Sequence, residues 1–380
     1  MKIKLLIGAL LIMTILLAYC SKNINSGDET PSKTITIDET KMSKVRFLLK
    51  SSVESDFIAY PRIAVSPYQN KVILYGLSST NESSELVAQT YDKSLRLLNR
   101  KAFLHGQGPG DIGNNNIISI GKDKLMISES SNSRVSVYDS DWKYQTSLRH
   151  NFEADAFEIY EDGNLFIFKE LNYKGDKEST FFAVGSIYDF KLNRFFTTED
   201  YFRYVAIGGV KKYLMGENTT HSWFYKNKRM FILDCGNYRL LQFDTKGKKI
   251  KDIIVKIKKK KTDQSMSDQY FRDIGLYKFR NRFRFSDTID PAAGMIPLSK
   301  GFVVIRRQDY SDNCNGFTEG DYFSDELKYI GKVNVPCYYN LLLPFLESRK
   351  NESGKFDNGF LYLIQERDDK TVIEKWEVFE

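Results

Sequence analysis

The sequence predicts an all-β fold, a six-bladed β-propeller of four-stranded antiparallel blades whose ring is closed by an N-terminal strand in the last blade. The main observation is a short phrase that occurs six times, a turn-forming residue followed by a run of mainly apolar strand residues. Copies separated by roughly 40 to 70 residues, each with more strand-like sequence around it, are typical of propeller blades. The copies begin at Lys71, Lys124, Asn164, Arg229, Gly301 and Gly359.

The first two copies show the four strands of a blade. Around the first, strands are predicted over residues 57–66, 71–77, 86–91 and 95–103, and around the second over 116–120, 124–128, 134–138 and 143–149. The last copy is one strand short, with strands over 340–346, 359–365 and 372–379. Because a propeller closes when one terminus completes the blade of the other, we expect the spare strand Lys44–Leu49 to close the ring.

The N-terminus has the pattern of a secretion signal. Two lysines precede an apolar stretch over residues 5–17, which is too short for a stable membrane span. The stretch ends in Leu16-Leu-Ala-Tyr-Cys20, which resembles the lipobox of bacterial lipoproteins and implies an acylated Cys20. Tyr19 departs from that pattern, which usually has a small residue before the cysteine. The alternative is cleavage nearby that releases a soluble product.

The chain is therefore expected to have three parts. Residues 1–19 form the lipoprotein signal peptide, residues 20–43 a flexible polar tether, and residues 44–380 the propeller. In the tether, apolar residues do not recur at the spacing of a helix or a strand, and its stretch Ser26-Gly-Asp-Glu-Thr-Pro-Ser32 is typical of a linker. The expected location is the cell envelope, with a lipid anchor in the outer membrane.

The composition fits one large β domain. The chain has 380 residues, with 27 Phe and 23 Tyr against 8 Pro, which suits packed sheets and excludes a disordered chain. The formal net charge of +7 is modest for this size, and export argues against a nucleic acid partner. No second apolar run of spanning length follows the signal.

Three cysteines follow Cys20 in the sequence. Cys314 and Cys337 are candidates for a disulfide within one blade, which the sequence leaves open. Cys235 lies in a predicted strand, where the expected role is that of a small buried hydrophobic residue rather than a reactive thiol.

Two copies also share the turn before the third strand. Residues 131–139 align with residues 236–244, and the alignment keeps an asparagine, an arginine and an aspartate. Asparagine or glycine in this turn is expected to accommodate the left-handed backbone of the hairpin, and the aspartate to bond the backbone of the next turn. The pattern resembles the blades of NHL-type propellers. The matching residues are Asn132 and Asn237, Arg134 and Arg239, and Asp139 and Asp244.

The loop Gly106-Gln-Gly-Pro-Gly-Asp-Ile112 extends this resemblance. A G-x-G-P-G-[DE] loop between the first two blades is similar to the exported six-bladed, TolB-like propeller lipoproteins of Bacteroidetes bacteria. The resemblance covers the chain after the tether and implies fold and location, but it transfers no catalytic residue. From its residues the loop is a structural turn, since it lacks the spacing of dinucleotide-binding and phosphate-binding loops. Its glycines would allow positive φ, and Pro109 would fix a corner.

The sequence lacks catalytic and metal-binding patterns. His105, His150 and His221 do not have the spacing of a metal site, and no G-x-S-x-G elbow occurs. We therefore expect no catalytic residue, no metal and no cofactor. Carboxylates follow the second strand of three blades, where solvated loop residues are favoured over an acid and base pair: Glu129, Asp234 and Glu366.

Two basic segments follow the fourth blade. Residues 248–261 are rich in lysine and are expected to be a solvated edge that discourages sheet aggregation, with an anion-binding patch as the alternative. Strict alternation over residues 277–285 is expected to place aromatic residues on one face of a strand and cations on the other. This cationic stripe is the candidate site for carboxylates, phosphates or an acidic protein, and an exposed outer strand is the alternative. Its cations are Lys278, Arg280, Arg282 and Arg284.

These observations predict a lipid-anchored, non-enzymatic binding or scaffolding propeller of the bacterial envelope, whose partner is an envelope protein, a peptide or a glycan. The alternative is a propeller-class lyase or hydrolase that acts on a polysaccharide or peptide in the central funnel. The funnel discriminates between them, because an enzyme needs two carboxylates, or a histidine and a cation, close together there. A binding protein needs only aromatic and isolated polar groups.

Overall fold

Six antiparallel sheets are arranged in a ring, as the sequence predicts, and each sheet is one propeller blade. Two N-terminal strands, β1 (Lys33–Thr36) and β2 (Arg46–Ser55), join later blades. The computed structural model describes residues 31–55, 58–66, 68–78, 85–113, 116–129, 131–152, 156–174, 177–198, 201–202, 204–207, 210–215, 221–262, 268, 278, 280, 283–285, 288, 290–307, 316–336, 354–367 and 370–380.

Each blade runs from an inner strand beside the axis to an outer strand. Blade 1 contains β3 (Ile58–Val65), β4 (Lys71–Ser78), β5 (Leu86–Asp92) and β6 (Leu97–Phe103). Blade 2 contains β7 (Asn116–Ile120), β8 (Lys124–Glu129), β9 (Arg134–Asp139) and β10 (Tyr144–Arg149). Blade 3 contains β11 (Ala156–Tyr160), a 3₁₀ turn (Glu161–Gly163), β12 (Leu165–Lys174), β13 (Lys177–Gly185), β14 (Asn193–Thr197) and the short β15 (Tyr201–Phe202).

A small additional sheet contains β16 (Tyr204–Ile207), β17 (Val210–Met215) and β22 (Phe283–Phe285). Blade 4 contains β18 (His221–Lys226), β19 (Arg229–Asp234), β20 (Arg239–Asp244) and β21 (Lys249–Lys256). Blade 5 contains β23 (Ala292–Pro297), β24 (Gly301–Arg306), β25 (Phe317–Ser324) and β26 (Tyr329–Pro336). Blade 6 contains β27 (Gly354–Asp357), β28 (Phe360–Arg367), β29 (Lys370–Phe379) and, as its outer strand, β2.

The hydrophobic core lies between the blades. Among the described residues, six clusters of buried apolar side chains occur, one at each interface of neighbouring blades, including that between blades 6 and 1. In β4, Val72 and Leu74 pack toward blade 6, whereas Ile73 and Tyr75 pack toward blade 2. The second strand of this blade therefore buries both faces, and this burial explains the continuous apolar phrase in the sequence.

The N-terminal strand closes the ring. β2 pairs antiparallel with β29, so that Arg46 lies opposite Phe379. The backbone N–H of Ile58 donates to the hydroxyl of Thr371 at 3.1 Å and joins blade 1 to blade 6. The predicted closure is confirmed, although the strand extends well beyond the predicted residues 44–49.

Residues 33–43 depart from the predicted tether, because they pack on the outside of blades 4 and 5. β1 pairs in parallel with β21, and Ile37 is buried beyond its end. The backbone N–H of Ser43 donates to the carbonyl of Lys332 at 2.7 Å. The alternating residues of Lys33-Thr-Ile-Thr-Ile37 allow this strand to form, and it covers an edge of blade 4 that would otherwise be open. The lysine-rich β21 is therefore not the solvated edge that the sequence suggests.

The additional three-stranded sheet has no counterpart in the sequence prediction. β16 and β17 pair antiparallel, and β22 joins β17 in parallel. The connection between blades 4 and 5 supplies β22, so this sheet ties that connection to the segment before blade 4. Within the part of the chain that the structure describes, no helix has the length and apolar character to cross a membrane.

Cys235 is fully buried in the cluster between blades 4 and 5, as predicted. It lies in the turn after β19 rather than within the strand. Its burial among apolar side chains is the environment in which a thiol acts as a small hydrophobic group. The other cysteines, Cys20, Cys314 and Cys337, lie outside the described residues.

Candidate functional site

The two faces of the ring differ in their connections. Because strands alternate in direction within a blade, the connections from strand 1 to 2 and from strand 3 to 4 emerge on one face, which we call the turn face. Connections from strand 2 to 3 and from blade to blade emerge on the other, which we call the loop face. The longest turn-face connection spans residues 186–192, whereas the loop-face connection between β21 and β23 spans residues 257–291. Functional sites concentrate on long connections, so the loop face is the candidate binding surface.

An ion pair crosses the axis of the ring. Glu158 on β11 of blade 3 lies 3.7 Å from Lys355 on β27 of blade 6, measured from Oε1 to Nζ, and these blades are opposite in the ring. Glu158 also accepts a hydrogen bond from the hydroxyl of Tyr160. Burial and the charge of Glu158 raise the pKa of Tyr160 well above its ordinary value, so this phenol remains a donor. The carboxylate at the centre is therefore compensated by its own neighbours.

The histidines lie in three separate environments. His105 is exposed beside the glycine loop. His150 stacks on Phe152 with ring centroids 4.0 Å apart, and burial lowers its pKa. His221 is buried against Phe182. Among the residues that the structure describes, no group of three potential metal ligands comes together.

A cleft of about 310 Å³ lies on the loop face between blades 4 and 5, and we call it the cation cleft. Its lining comes from the start of the connection after β21, from the residue before β23, from the end of β24 and from β25. Most of its charged side chains are cations, which is the polarity suited to an anionic group. The cations are Lys258, Lys260, Arg306 and Arg307, beside one carboxylate, Glu319.

Arg306 is held by carboxylates on two sides. Its Nε and Nη2 each donate to the carboxylate of Asp321 at 2.7 Å, and its Nη1 donates to Glu39 at 2.7 Å. Tyr238 donates to the same Asp321 at 2.5 Å. Burial alone would lower the pKa of Arg306, but the hydrogen bonds to Asp321 and Glu39 raise it above the ordinary value. The guanidinium of Arg306 is thus fully charged and engaged by the protein itself.

Arg307, the next residue, has an incomplete set of partners. Its side chain has no solvent exposure, and its three guanidinium nitrogens have no hydrogen-bond partner in the described structure. The buried carboxylate of Asp290 lies 3.8 Å from Nη1, which is an ion-pair distance but too long for a hydrogen bond. The two neighbouring arginines therefore differ, because the protein supplies an acceptor to each of the three guanidinium nitrogens of Arg306 and to none of those of Arg307.

The predicted cationic stripe is not one continuous strand. Lys278 and Arg280 have 3₁₀ conformation, and strand β22 begins at Phe283. Since a 3₁₀ turn has three residues per turn, alternation in sequence does not place these cations on one face. Arg282 lies outside the described residues, and Arg284 lies within β22.

The segment of the stripe nevertheless belongs to the connection that forms the cation cleft. Lys261 and Thr288 make an antiparallel bridge between the two ends of this connection. Lys260, next to that bridge, lines the cleft, as does Pro291 at the far end. The predicted stripe and part of the cleft lining therefore belong to the same connection, although the stripe residues are not among those that line the cleft.

Glu129 ends β8 and is fully buried, which corrects the expectation of a solvated loop residue. Its carboxylate accepts hydrogen bonds from Nε of Arg134 at 3.0 Å and from Nδ2 of Asn132 at 2.8 Å. The backbone N–H of Gly113 donates to it at 3.0 Å. Glu129 therefore organises the loop-face turn of blade 2 and is not available to a substrate.

The corresponding residues of blade 4 make different contacts. Asp234 accepts a hydrogen bond from Nδ2 of Asn237 at 2.8 Å, but Arg239 turns to Asp252 on β21 at 2.6 Å. Burial would raise the pKa of Asp252, and the hydrogen bond from Arg239 holds it below the ordinary value. Glu366 is part of β28 rather than of a loop. The shared Asn-x-Arg sequence therefore does not define one repeated site.

Arg134 also holds the glycine loop. Its guanidinium donates to the carbonyl oxygens of Gln107, at 3.0 Å, and of Asp111. The backbone N–H of Gly108 donates to Oδ2 of Asp111 at 3.1 Å, and a Cβ on Gly108 would lie 2.6 Å from that oxygen. Gly110 has a φ of 83°, in the left-handed region. These contacts support the structural role that the sequence predicts for the loop.

Comparison with known proteins identifies a fold and no family. No protein-family model matches the sequence, and no curated protein matches it. A solved structure of a DUF4221 family member from Bacteroides vulgatus is similar at a TM-score of 0.50 and 10% identity, over 90% of this chain and 100% of that one. A candidate exported protein from Bacteroides fragilis is similar at the same TM-score and identity, over 92% of this chain and 99% of that one. At this identity the likeness establishes the propeller fold alone.

The sequence interpretation overlooked Arg306 and Arg307, although a signal was present. Arg306 follows the fifth apolar phrase at the position that Glu129 and Asp234 occupy in their blades, so it belongs to the same series of charged strand ends. Its partner Glu39 is 267 residues away in sequence, and no local pattern relates the two.

Proposed function

We propose that this protein is a non-enzymatic binding propeller of the bacterial cell envelope, which captures an envelope protein, peptide or glycan on its loop face. The observation that carries the proposal is the cation cleft, where cations from β24 and from the connection 257–291 converge around about 310 Å³ of space. Concave sites with a few convergent polar groups are the usual form of a ligand site. The turn face, by contrast, carries short connections.

The charges at the axis favour binding over catalysis. Glu158 is engaged by Lys355 at one carboxylate oxygen and by the hydroxyl of Tyr160 at the other, so the protein itself occupies both oxygens. A lyase or hydrolase that acts on a polysaccharide or peptide in the funnel would need an available acid or base there. This alternative therefore has less support than a binding role.

We also infer that a lipid on Cys20 anchors the protein in the outer membrane. The Leu-Ala-Tyr-Cys motif supports the anchor, and the Bacteroides fragilis protein of the same fold carries the description of a candidate exported protein. The glycine loop and the Asn-x-Arg turns support a place among the TolB-like and NHL-like propeller lipoproteins of Bacteroidetes. Metabolic labelling with a fatty-acid probe tests the anchor: we expect labelling of the natural chain, and label that persists in Cys20→Ala would contradict it.

Photo-cross-linking of the full-length protein in intact cells tests the binding face. A photoreactive amino acid is placed at Ile257, which lines the cation cleft, or at Lys246, which is exposed on the turn face. We expect a discrete cross-linked species from position 257 and none from position 246. Equal yields from both positions, or adducts from position 246 alone, would show that the loop face is not the binding surface.

A further inference from the structure

We propose that Arg307 forms an oxyanion site in the cation cleft and binds the carboxylate or phosphate group of the captured partner. This inference rests on the proposed function, because it names the chemical group by which the cleft holds its partner. Arg307 lines the cleft, its side chain is fully buried, and Nε, Nη1 and Nη2 have no hydrogen-bond partner in the described structure.

A buried guanidinium without acceptors is an unfavourable arrangement. Arginine stays protonated, so burial removes its donors from water while it keeps its charge, and each hydrogen bond left unmade costs free energy. Asp290 at 3.8 Å compensates the charge of Arg307 but makes no hydrogen bond to it. An oxyanion supplies the missing hydrogen bonds, because two of its oxygens match the spacing of the guanidinium fork.

Arg306 provides the internal comparison. Its fork is filled by both oxygens of Asp321 at 2.7 Å, which is the contact that a ligand carboxylate or phosphate would make with Arg307. The end of this strand thus presents one arginine whose three guanidinium nitrogens are all bonded by the protein and one whose nitrogens remain for another acceptor. A purely structural pair would be expected to receive acceptors at both positions, since buried polar groups are nearly always bonded.

The other charges of the cleft favour an anion as well. Lys258 and Lys260 are exposed on the connection after β21, where they add positive potential at the cleft. Glu319 is compensated, since Lys332 lies 3.4 Å and Arg306 4.0 Å from its carboxylate. An approaching oxyanion therefore meets a net attraction from these cations, and the carboxylate of Asp290, 3.8 Å from Nη1 of Arg307, is the negative charge with which it must share that guanidinium.

Nuclear magnetic resonance of arginine side chains tests the proposal on the full-length protein in detergent. Inorganic phosphate, acetate and chloride are titrated at constant ionic strength while the Nε–Hε resonance of Arg307 is followed, assigned by its loss in Arg307→Lys. We expect a saturable shift with phosphate or acetate and none with chloride, and the tighter of the two identifies the group. Arg307→Lys keeps the charge but loses the fork, so the same anion, followed in this variant through the Nε–Hε resonance of the neighbouring Arg306, should bind at least tenfold more weakly.

Lys246→Gln is the matched control, since it removes an exposed cation from the turn face and should bind the anion as the natural chain does. If the Arg307 resonance shows no saturable shift with either oxyanion, the proposal is overturned, and ordered water is the remaining partner for the Arg307 donors. An unchanged affinity of Arg307→Lys for the anion would also overturn the proposal, because the anion would then be bound by Lys258 and Lys260 of the cleft. If Arg307→Lys folds poorly, Arg307→Gln supplies the assignment instead, and the titration of the natural chain still decides. If the titration is negative but position 257 still gives a discrete cross-linked species, the proposed function stands and only the role of Arg307 is contradicted.

Discussion

The two faces of the ring are built from the same blades, yet their connections are held in different ways. On the turn face, four blades repeat one backbone turn between their third and fourth strands, and every bond that defines it is local in sequence. On the loop face, even the two turns that share a sequence motif are held by different partners. Repetition in sequence therefore predicts repetition in structure where the stabilising contacts are local, and it fails where they come from other strands and blades.

The turn-face connections depend on one hydrogen-bonded side chain. Asp92 ends the third strand of blade 1, and its Oδ1 accepts from the backbone N–H groups two and four residues later, both at 2.9 Å. Asp139 and Asp244 make the same two bonds in blades 2 and 4, and the hydroxyl of Ser324 makes them in blade 5. The structure confirms the role predicted for Asp139 and Asp244. The residue three positions after each has positive φ: Leu95, Trp142, Gly247 and Leu327.

The loop-face turns show how one motif separates into two structures. The sequence predicts that Asn132 takes the left-handed conformation, but the structure places it one residue later, at Ser133 with a φ of 47°. The Asn132 side chain is used instead to bond Glu129. Blade 4 has the shorter Asp234 in place of Glu129, and there the arginine turns outward. A difference of one methylene thus accompanies a different set of partners.

Glu129→Ala is expected to have the largest effect, because it leaves the buried guanidinium of Arg134 without its carboxylate. The free energy of unfolding should fall by about 3–5 kcal/mol. Asp234→Ala, at the same position in blade 4, should cost about 1 kcal/mol, since Arg239 keeps Asp252. Chemical denaturation measures both. Equal losses in the two variants would show that the motif, rather than its particular contacts, determines loop-face stability.

Gly247→Ala tests the turn face. Gly247 has a φ of 82°, and a Cβ there would lie 2.4 Å from Cβ of Phe195. The free energy of unfolding should fall by about 1–3 kcal/mol, while cross-linking from position 257 stays unchanged. Gly359→Ala is the matched control, because Gly359 has the same φ but no atom within 4 Å of its Cβ position. A loss of cross-linking in Gly247→Ala would mean that the two faces are coupled.

The fold could be predicted because its signals are local. The apolar phrase marks the second strand of each blade, which buries both faces, and the strand missing from the last copy identified the closure that β2 provides. The turn-face aspartates followed from the known preference of this side chain for its own backbone. Each of these inferences needed only a few consecutive residues.

The candidate site could not be predicted from the sequence, because its contacts join residues that are far apart in the chain. Arg306 joins Asp321 on the next strand to Glu39 from the N-terminal segment, and the parallel pairing of β17 with β22 brings together residues about 70 positions apart. The alternation over residues 277–285 predicted one strand, whereas Lys278 and Arg280 have 3₁₀ conformation. Nothing in the residues near Arg307 indicates that its donors lack acceptors.

The smallest expected effect concerns Glu39, which links the N-terminal segment to the cation cleft. Its carboxylate lies 2.7 Å from Nη1 of Arg306 and 3.1 Å from Nζ of Lys332. The hydrogen bond from Arg306 lowers the pKa of Glu39 below its ordinary value of 4.5. A group whose pKa is lowered on folding stabilises the folded state above its unfolded pKa, and this contribution is lost as the pH falls through the lowered value.

Glu39→Gln should therefore lower the unfolding temperature by about 1 °C at neutral pH, and the difference from the natural chain should disappear in acid. Thermal unfolding followed at several pH values measures it. Glu54→Gln is the matched control, because Glu54 and its partner Lys370 are both more than half exposed, whereas the two cations that hold Glu39 are mostly buried, so solvent screening predicts a smaller difference for Glu54→Gln. A difference for Glu39→Gln that persists unchanged below the lowered pKa would mean that its carboxylate charge does not hold the N-terminal segment on the loop-face cleft.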